Sequence, residues 1–80
     1  MEKEKILQEL QPIFHDVFDD ESIVVTNSTN AKQIEDWDSL AQIRLVIAIE
    51  KNFSIKFNFG ELQTLKDVGE MIDVIQKKLQ

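Results

Sequence analysis

Ser39 carries the hydroxyl that is best placed for chemistry in this 80-residue chain. It lies within residues 36–40 (DWDSL), directly before a run of apolar residues with helical spacing. The N–H groups at a helix N-terminus are unpaired and carry a positive partial charge, so that a phosphate group there is stabilised. A phosphate ester on Ser39 would therefore lie in a favourable field. A simpler role also fits, because Asp38 or Ser39 could merely cap the helix.

A hydrolase site is a second chemistry that the residue types allow on paper. His15 is the single histidine of the sequence, and with Ser39 and an aspartate it completes the composition of a catalytic triad. The sequence has no G-x-S-x-G motif and no glycine near Ser39 to form an oxyanion hole. We therefore expect His15 to be an exposed or half-buried residue near a helix C-terminus, and we expect no catalytic residue.

Acidic residues between the histidine and the serine suggest a calcium site as a third chemistry: Asp16, Asp19, Asp20, Glu21, Asp36 and Asp38. An EF-hand loop needs a glycine at its sixth position and a glutamate at its twelfth. Counted from Asp16, Asp19 or Asp36, the twelfth position is never a glutamate. The sequence therefore predicts a solvated acidic surface and no dedicated metal site.

The charge and composition narrow the classes of partner. The chain has 9 basic and 15 acidic residues, for a formal net charge of −6. Nucleic acid is not an expected partner, because binding a phosphate backbone requires clustered cations. The sequence lacks cysteine, an apolar signal-peptide stretch and a membrane-spanning run. We expect a soluble, cytoplasmic protein that does not insert into membranes.

Apolar stripes predict three main helices. The first covers residues 5–18 and contains Pro12, so that it is either kinked or split there. The second follows Asp38 and Ser39 and is apolar nearly all round, which predicts a central position. The last begins near Thr64 and Asp67, whose types and spacing resemble a capping box.

The segments between these helices predict one long loop and one short helix. Residues 19–38 are rich in turn-forming types and predict a long ordered loop. Residues 53–59 alternate apolar and polar side chains, as a strand does, but a two-stranded ribbon is marginal in water. An extended connection with a helical turn near residues 59–62 is favoured. The predicted fold is a single all-α domain over residues 1–80, an up-and-down bundle of three main helices and one short helix.

The motif that opens the second helix resembles that of the acyl carrier proteins, the phosphopantetheine-bearing carriers of fatty acid and polyketide synthesis. Residues 38–40 match their D-S-L motif, and an apolar-rich helix follows with Glu50, Phe53 and Ile55 in the family's pattern. Residues 64–68 are similar to the family's Thr-led last helix. The resemblance covers essentially the whole chain.

The resemblance implies a carrier that is not an enzyme. Ser39 would be esterified by 4′-phosphopantetheine from coenzyme A, and the terminal thiol of that arm would hold an acyl group as a thioester. Asp38 resembles the residue that contacts the phosphopantetheinyl transferase, while Leu40 and Ile43 would flank the arm as an apolar docking surface. Acyl-loading and acyl-transfer enzymes are the further partners that the resemblance implies.

Three positions depart from the fatty acid carriers. Those carriers are typically acidic where this chain has Ala41 and Arg44, and they often have a small residue in place of Trp37. Arg44 would repel the basic docking patches of fatty acid enzymes, by up to about 1 kcal/mol if it is exposed. We therefore expect Arg44 to bear on partner binding and the carrier to serve a specialised lipid, polyketide or polysaccharide-acylation pathway. Trp37 is expected either to cover the core or to contact a partner.

Two alternatives remain open at the level of sequence. The same helix pattern suits an aminoacyl or peptidyl carrier, which has the same arm with a different cargo. It also suits a non-carrier interaction module, an acidic helical adaptor in which Ser39 is merely a cap.

Overall fold

The computed structural model describes residues 1–63 and 65–80. Within these residues the chain forms four helices and no β-strand: α1 (Lys3–Phe18), α2 (Ser39–Phe53), α3 (Phe59–Leu62) and α4 (Val68–Leu79). This confirms the predicted all-α architecture of three main helices and one short helix. None of the helices in the described part of the chain is long and apolar enough to cross a membrane.

Helix α1 continues through Pro12 without a break. The alternative of two separate helices is therefore wrong. A proline inside a helix costs about 3 kcal/mol, whereas each fully buried aliphatic or aromatic side chain contributes roughly 1.5–3 kcal/mol. Burial of the inner face outweighs the proline, since four of its side chains are buried: Ile6, Leu10, Ile13 and Phe14.

Helix α1 makes the close backbone contacts to both α2 and α4. The sequence placed α2 at the centre because it is apolar nearly all round, and in this respect the prediction is wrong. One side of α2 joins the core, while three of its large apolar side chains stay exposed. The core residues contributed by α2 are Ala41, Leu45, Val46, Ile49 and Phe53.

The loop between α1 and α2 is ordered, as predicted, because polar side chains of α1 bind its backbone. The Gln11 amide donates to the Val25 carbonyl and accepts from the Val25 N–H, both at 2.8 Å. His15 is half-buried and its Nε2 donates to the Ile23 carbonyl at 2.7 Å. These bonds satisfy loop backbone groups that lie against the core, and they give His15 a structural role.

The same loop also receives the N-terminus of α4. The Val68 N–H donates to the Thr29 carbonyl at 2.9 Å, and the Gly69 N–H donates to the Asn27 carbonyl at 2.8 Å. The first N–H groups of a helix have no partner within the helix. The loop therefore supplies acceptors that α4 lacks, and the two elements hold each other in place.

Asp67 is the N-cap of α4. Its carboxylate accepts a hydrogen bond from the Glu70 N–H at 2.8 Å. Thr64, with which the sequence paired Asp67 in a capping box, lies outside the described residues. The predicted apolar stripe of α4 is confirmed, since its first four members are buried and the last is half-buried: Val68, Met71, Ile72, Ile75 and Leu79.

The predicted extended connection and short helix are both present. Helix α2 ends at Phe53, its C-cap Ser54 has a left-handed φ of 55°, and α3 begins after Asn58. Asn58 and Glu61 form a capping box. The Lys78 ammonium lies 2.7 Å from the Glu61 carboxylate, which also accepts a hydrogen bond from the Asn58 N–H. The lysine, and to a smaller extent the Asn58 N–H, hold the pKa of Glu61 below its usual range. This contact ties α3 to the end of α4.

The close approach of α4 to the loop predicts that Gly69 resists substitution. A Cβ at Gly69 would lie 2.9 Å from the Asn27 carbonyl oxygen, which is a backbone atom. Gly69→Ala is expected to lower the free energy of unfolding by about 1–3 kcal/mol, although alanine ordinarily favours a helix. Urea denaturation followed by circular dichroism measures the change.

Gly60→Ala is the matched control. A Cβ at Gly60 would meet the Asn58 side chain at 3.5 Å, an ordinary contact. This variant should be as stable as the wild type or more stable by up to about 1 kcal/mol. Equal stability of the two variants would contradict the proposed backbone approach at Gly69.

Candidate functional site

Asp38 is the N-cap of α2. Its backbone is extended, and its carboxylate accepts a hydrogen bond from the Ala41 N–H at 2.8 Å. Its carbonyl accepts the first backbone bond of the helix from the Gln42 N–H at 2.9 Å. The sequence left the cap open between Asp38 and Ser39, and the structure assigns it to Asp38.

Ser39 is therefore the first helical residue, and its side chain has no capping task. The residue is exposed, and within the described part of the chain its hydroxyl makes no hydrogen bond to protein. The positive end of the α2 dipole lies beside it, which favours a phosphate group attached to the oxygen. The geometry fits a phosphoester on this hydroxyl, because nothing described has to be displaced to form it.

Trp37 anchors the chain directly before this cap. Its side chain is 8% exposed and packs edge-on against the Phe14 ring, with centroids 5.4 Å apart. The Phe18 ring lies 6.1 Å away. The indole N–H donates to the Gln42 amide oxygen at 2.6 Å, so that the loop is bonded to the first turn of α2. Trp37 thus covers the core, which is one of the two roles that the sequence left open.

A surface cleft of about 820 Å³ opens beside Ser39. The start of α2 lines one side of it, and residues 30–32 of the long loop and 65–67 before α4 line the others. Asn30 and Asp67 form an isolated antiparallel bridge that joins these two loop segments. Leu62 and Leu65 are apolar members of the same lining. A chain attached to Ser39 could lie along it.

The structure places the predicted partner-binding residues at the N-cap and in the first two turns of α2, close to Ser39 along the chain. Asp38, Leu40, Ile43 and Arg44 are all exposed. Ala41 is different, because its side chain is 8% exposed and belongs to the core. Of the two departures in this part of the helix, Arg44 is therefore the one that is exposed to solvent.

Other predicted chemistry does not converge on this site. His15 bonds the Ile23 carbonyl on the loop. Among the described residues no group of three or more His, Cys, Asp and Glu side chains is arranged to hold a metal ion. At Asp20, hydrogen bonds from the Ser22 hydroxyl and N–H lower the pKa of the carboxyl, which marks a local turn and not a ligand site.

Two features of the site were missed in the sequence. Gln42 bonds the Trp37 indole, and no pattern in the chain signals that pair. Ile47 is 49% exposed on the same side of α2 as Leu40 and Ile43, whereas only those two were expected to form an apolar docking surface. Its spacing of seven and four residues from those two positions was the signal that could have found it.

Comparison with known proteins agrees with this architecture. A family model described as "Phosphopantetheine attachment site" matches residues 8–75. The acyl carrier protein of Coprothermobacter proteolyticus is 33% identical over 79 residues, which are 99% of this chain and 96% of that protein. The solution NMR structure of the holo acyl carrier protein from Geobacter metallireducens superposes with a TM-score of 0.86 at 51% identity, over 91% of this chain and 84% of that one.

The α-helical bundle with a serine at the start of its second helix is that of a phosphopantetheine-binding carrier. The chain belongs to the acyl carrier protein family. Its function is to carry acyl groups on a covalently attached phosphopantetheine, and it is not itself an enzyme.

The packing of Trp37 predicts a large loss of stability on truncation. Trp37→Ala should lower the free energy of unfolding by about 3–5 kcal/mol, because it leaves a cavity beside the Phe14 and Phe18 rings. Trp37→Phe should cost less, about 1–2 kcal/mol, since it keeps an aromatic ring and loses the bond to Gln42. Urea denaturation measures both. Val24→Ala is the control, because the Val24 side chain is 77% exposed. If Trp37→Ala lowered the free energy of unfolding as little as this control does, Trp37 would not anchor the core.

Proposed function

We propose that Ser39 is the residue to which the phosphopantetheine arm is attached. The observation that carries this proposal is the free, exposed hydroxyl at the first position of α2, with the capping bond supplied by Asp38. Ser22, Ser28 and Ser54 lack this setting, since they lie in loops or at the end of α2.

The attachment reaction is a phosphoryl transfer. The Ser39 oxygen attacks the phosphorus next to the pantetheine in the pyrophosphate of coenzyme A. A bond forms between that oxygen and phosphorus, the pyrophosphate P–O bond breaks, and 3′,5′-adenosine bisphosphate leaves. The hydroxyl proton passes to a base of the phosphopantetheinyl transferase. The positive end of α2 stabilises the negative charge of the resulting phosphodiester.

The attached arm supplies a thiol that forms a thioester with the cargo. The sequence contains no cysteine, so that the arm is the sole thiol on the loaded protein. An acyl group delivered to a thiol of this carrier is therefore directed to the arm. The protein's own part is to present the arm and to be recognised by the enzymes that load and unload it.

We also assign Asp38, Leu40 and Ile43 to recognition. Asp38 presents an exposed carboxylate directly before Ser39, where the transferase must approach. Leu40 and Ile43 are 57% and 58% exposed and lie one and four residues after it. Such exposed apolar side chains beside the attachment point supply contact area for a partner enzyme.

The pathway that we propose is a specialised lipid, polyketide or polysaccharide acylation. Exposure of Arg44 supports it, because a cation on this surface opposes docking to basic enzyme patches. We place the carrier in the cytoplasm as a monomer, with residues 1–80 acting as one domain around a shared core.

An aminoacyl or peptidyl cargo is the alternative, and mass analysis of the thioester-bound group from native cells distinguishes the two cargo classes. Membership of the carrier family disfavours the non-carrier adaptor.

Attachment of the arm at Ser39 is tested by intact mass. The purified protein is incubated with coenzyme A and a promiscuous phosphopantetheinyl transferase. The wild type should gain the mass of one phosphopantetheine, and Ser39→Ala should gain none. Ser28→Ala is the control, because Ser28 is an exposed loop serine, and it should gain the arm as the wild type does. An arm that persists in folded Ser39→Ala would refute the assignment.

A further inference from the structure

The outer face of α2 is apolar and uncovered. Leu40, Ile43 and Ile47 are 57%, 58% and 49% exposed, and their spacing of three and four residues places them in one stripe along the helix. The opposite side of α2 is packed into the core. Three large aliphatic side chains in a continuous exposed row mark a surface that a protein partner covers.

Positive charge borders this stripe. Arg44 and Lys51 are exposed and lie seven residues apart, two turns of helix, on the same flank of the row. Among the residues that the structure describes, neither forms an ion pair. Glu50, the one acidic residue of α2, is half-buried and its carboxylate accepts a hydrogen bond from the Phe57 N–H at 2.8 Å. Apart from the N-cap Asp38, the exposed charges of α2 are therefore positive, on a chain whose net charge is −6.

We propose that this face docks an acyl-handling enzyme whose surface combines an apolar patch with acidic side chains. The proposal rests on the carrier function and specifies the partner's chemistry. Arg44 and Lys51 follow Ser39 by five and twelve residues, or about 8 and 18 Å along the helix axis at 1.5 Å per residue. The acidic groups of the partner therefore lie at about those distances from the entrance of the partner's active site, which receives the arm.

The net charge of the chain allows specific docking to an acidic partner to be distinguished from non-specific electrostatic attraction. A protein of charge −6 attracts cationic molecules by its overall field, so that non-specific association would favour a basic partner. A preference for an acidic partner can arise only if local charges on the docking face outweigh that field. Complementary charges at the edge of an interface act chiefly on partner choice and association rate.

The experiment compares two synthetic amphipathic helical peptides that share one leucine stripe. Glutamates flank the stripe in the first peptide and lysines flank it in the second. Each is titrated into the full ¹⁵N-labelled chain without the arm, and backbone amide shifts report both affinity and location. The glutamate peptide should bind at least about fivefold more tightly at low salt, with the shifts centred on Leu40, Ile43 and Ile47.

A double charge reversal tests the two cations. Arg44→Glu with Lys51→Glu should reverse the preference in favour of the lysine peptide. Lys5→Glu with Lys77→Glu is the matched control, because both lysines are exposed on α1 and α4 and the net charge changes by the same amount. The control should keep the wild-type preference for the glutamate peptide.

Four outcomes would overturn the proposal: tighter or equal binding of the lysine peptide by the wild type, shifts centred away from α2, binding of neither peptide, or loss of the preference in the control. Self-association through the same face, detected by sedimentation, would also overturn it, because a second copy would then be the occupant. The titration uses protein without the arm, so that its failure leaves attachment at Ser39 untouched. Failure of the loading test at Ser39 likewise leaves the peptide result unchanged.

Discussion

The hydrogen bond between the Asp38 carboxylate and the Ala41 N–H decides what the Ser39 side chain is free to do. A helix beginning at this point needs an acceptor for its first N–H groups, and serine is as good an N-cap as aspartate. Because Asp38 stands one residue earlier and fills that role at 2.8 Å, the serine becomes the first helical residue. Its hydroxyl then faces solvent at the positive end of α2.

The rest of the fold keeps this cap in place. Trp37 is buried against the α1 aromatic rings and bonded to Gln42, so that the chain enters α2 from a fixed direction. The long loop that delivers Trp37 is held by Gln11 of α1 and by the first N–H groups of α4. The loop is long because it must cross from the end of α1 to the start of α2 while contacting the third long helix. The loop that leads into the first turn of α2 is thus held by all three long helices.

The sequence predicted the helices and placed Ser39 at the start of the second one, because apolar spacing and a short motif are local signals. It left open whether α1 continues through Pro12, because burial of a whole face decides that outcome. It also left the cap open between Asp38 and Ser39, since both types serve and the choice depends on backbone geometry. The burial of Ala41 and the bond from Trp37 to Gln42 depend on how α2 is rotated against α1, which periodicity alone did not resolve.

The different roles of Asp38 and Ser39 can be measured directly as changes in the free energy of unfolding. Asp38→Ala removes the capping acceptor and should lower the free energy of unfolding by about 0.5–2 kcal/mol. Ser39→Ala removes a hydroxyl with no protein partner among the described residues and should change it by less than about 0.5 kcal/mol. Both values come from urea denaturation of the protein without the arm. If Ser39→Ala were the more destabilising of the two, the serine would be the cap, and the account of a free hydroxyl would be contradicted.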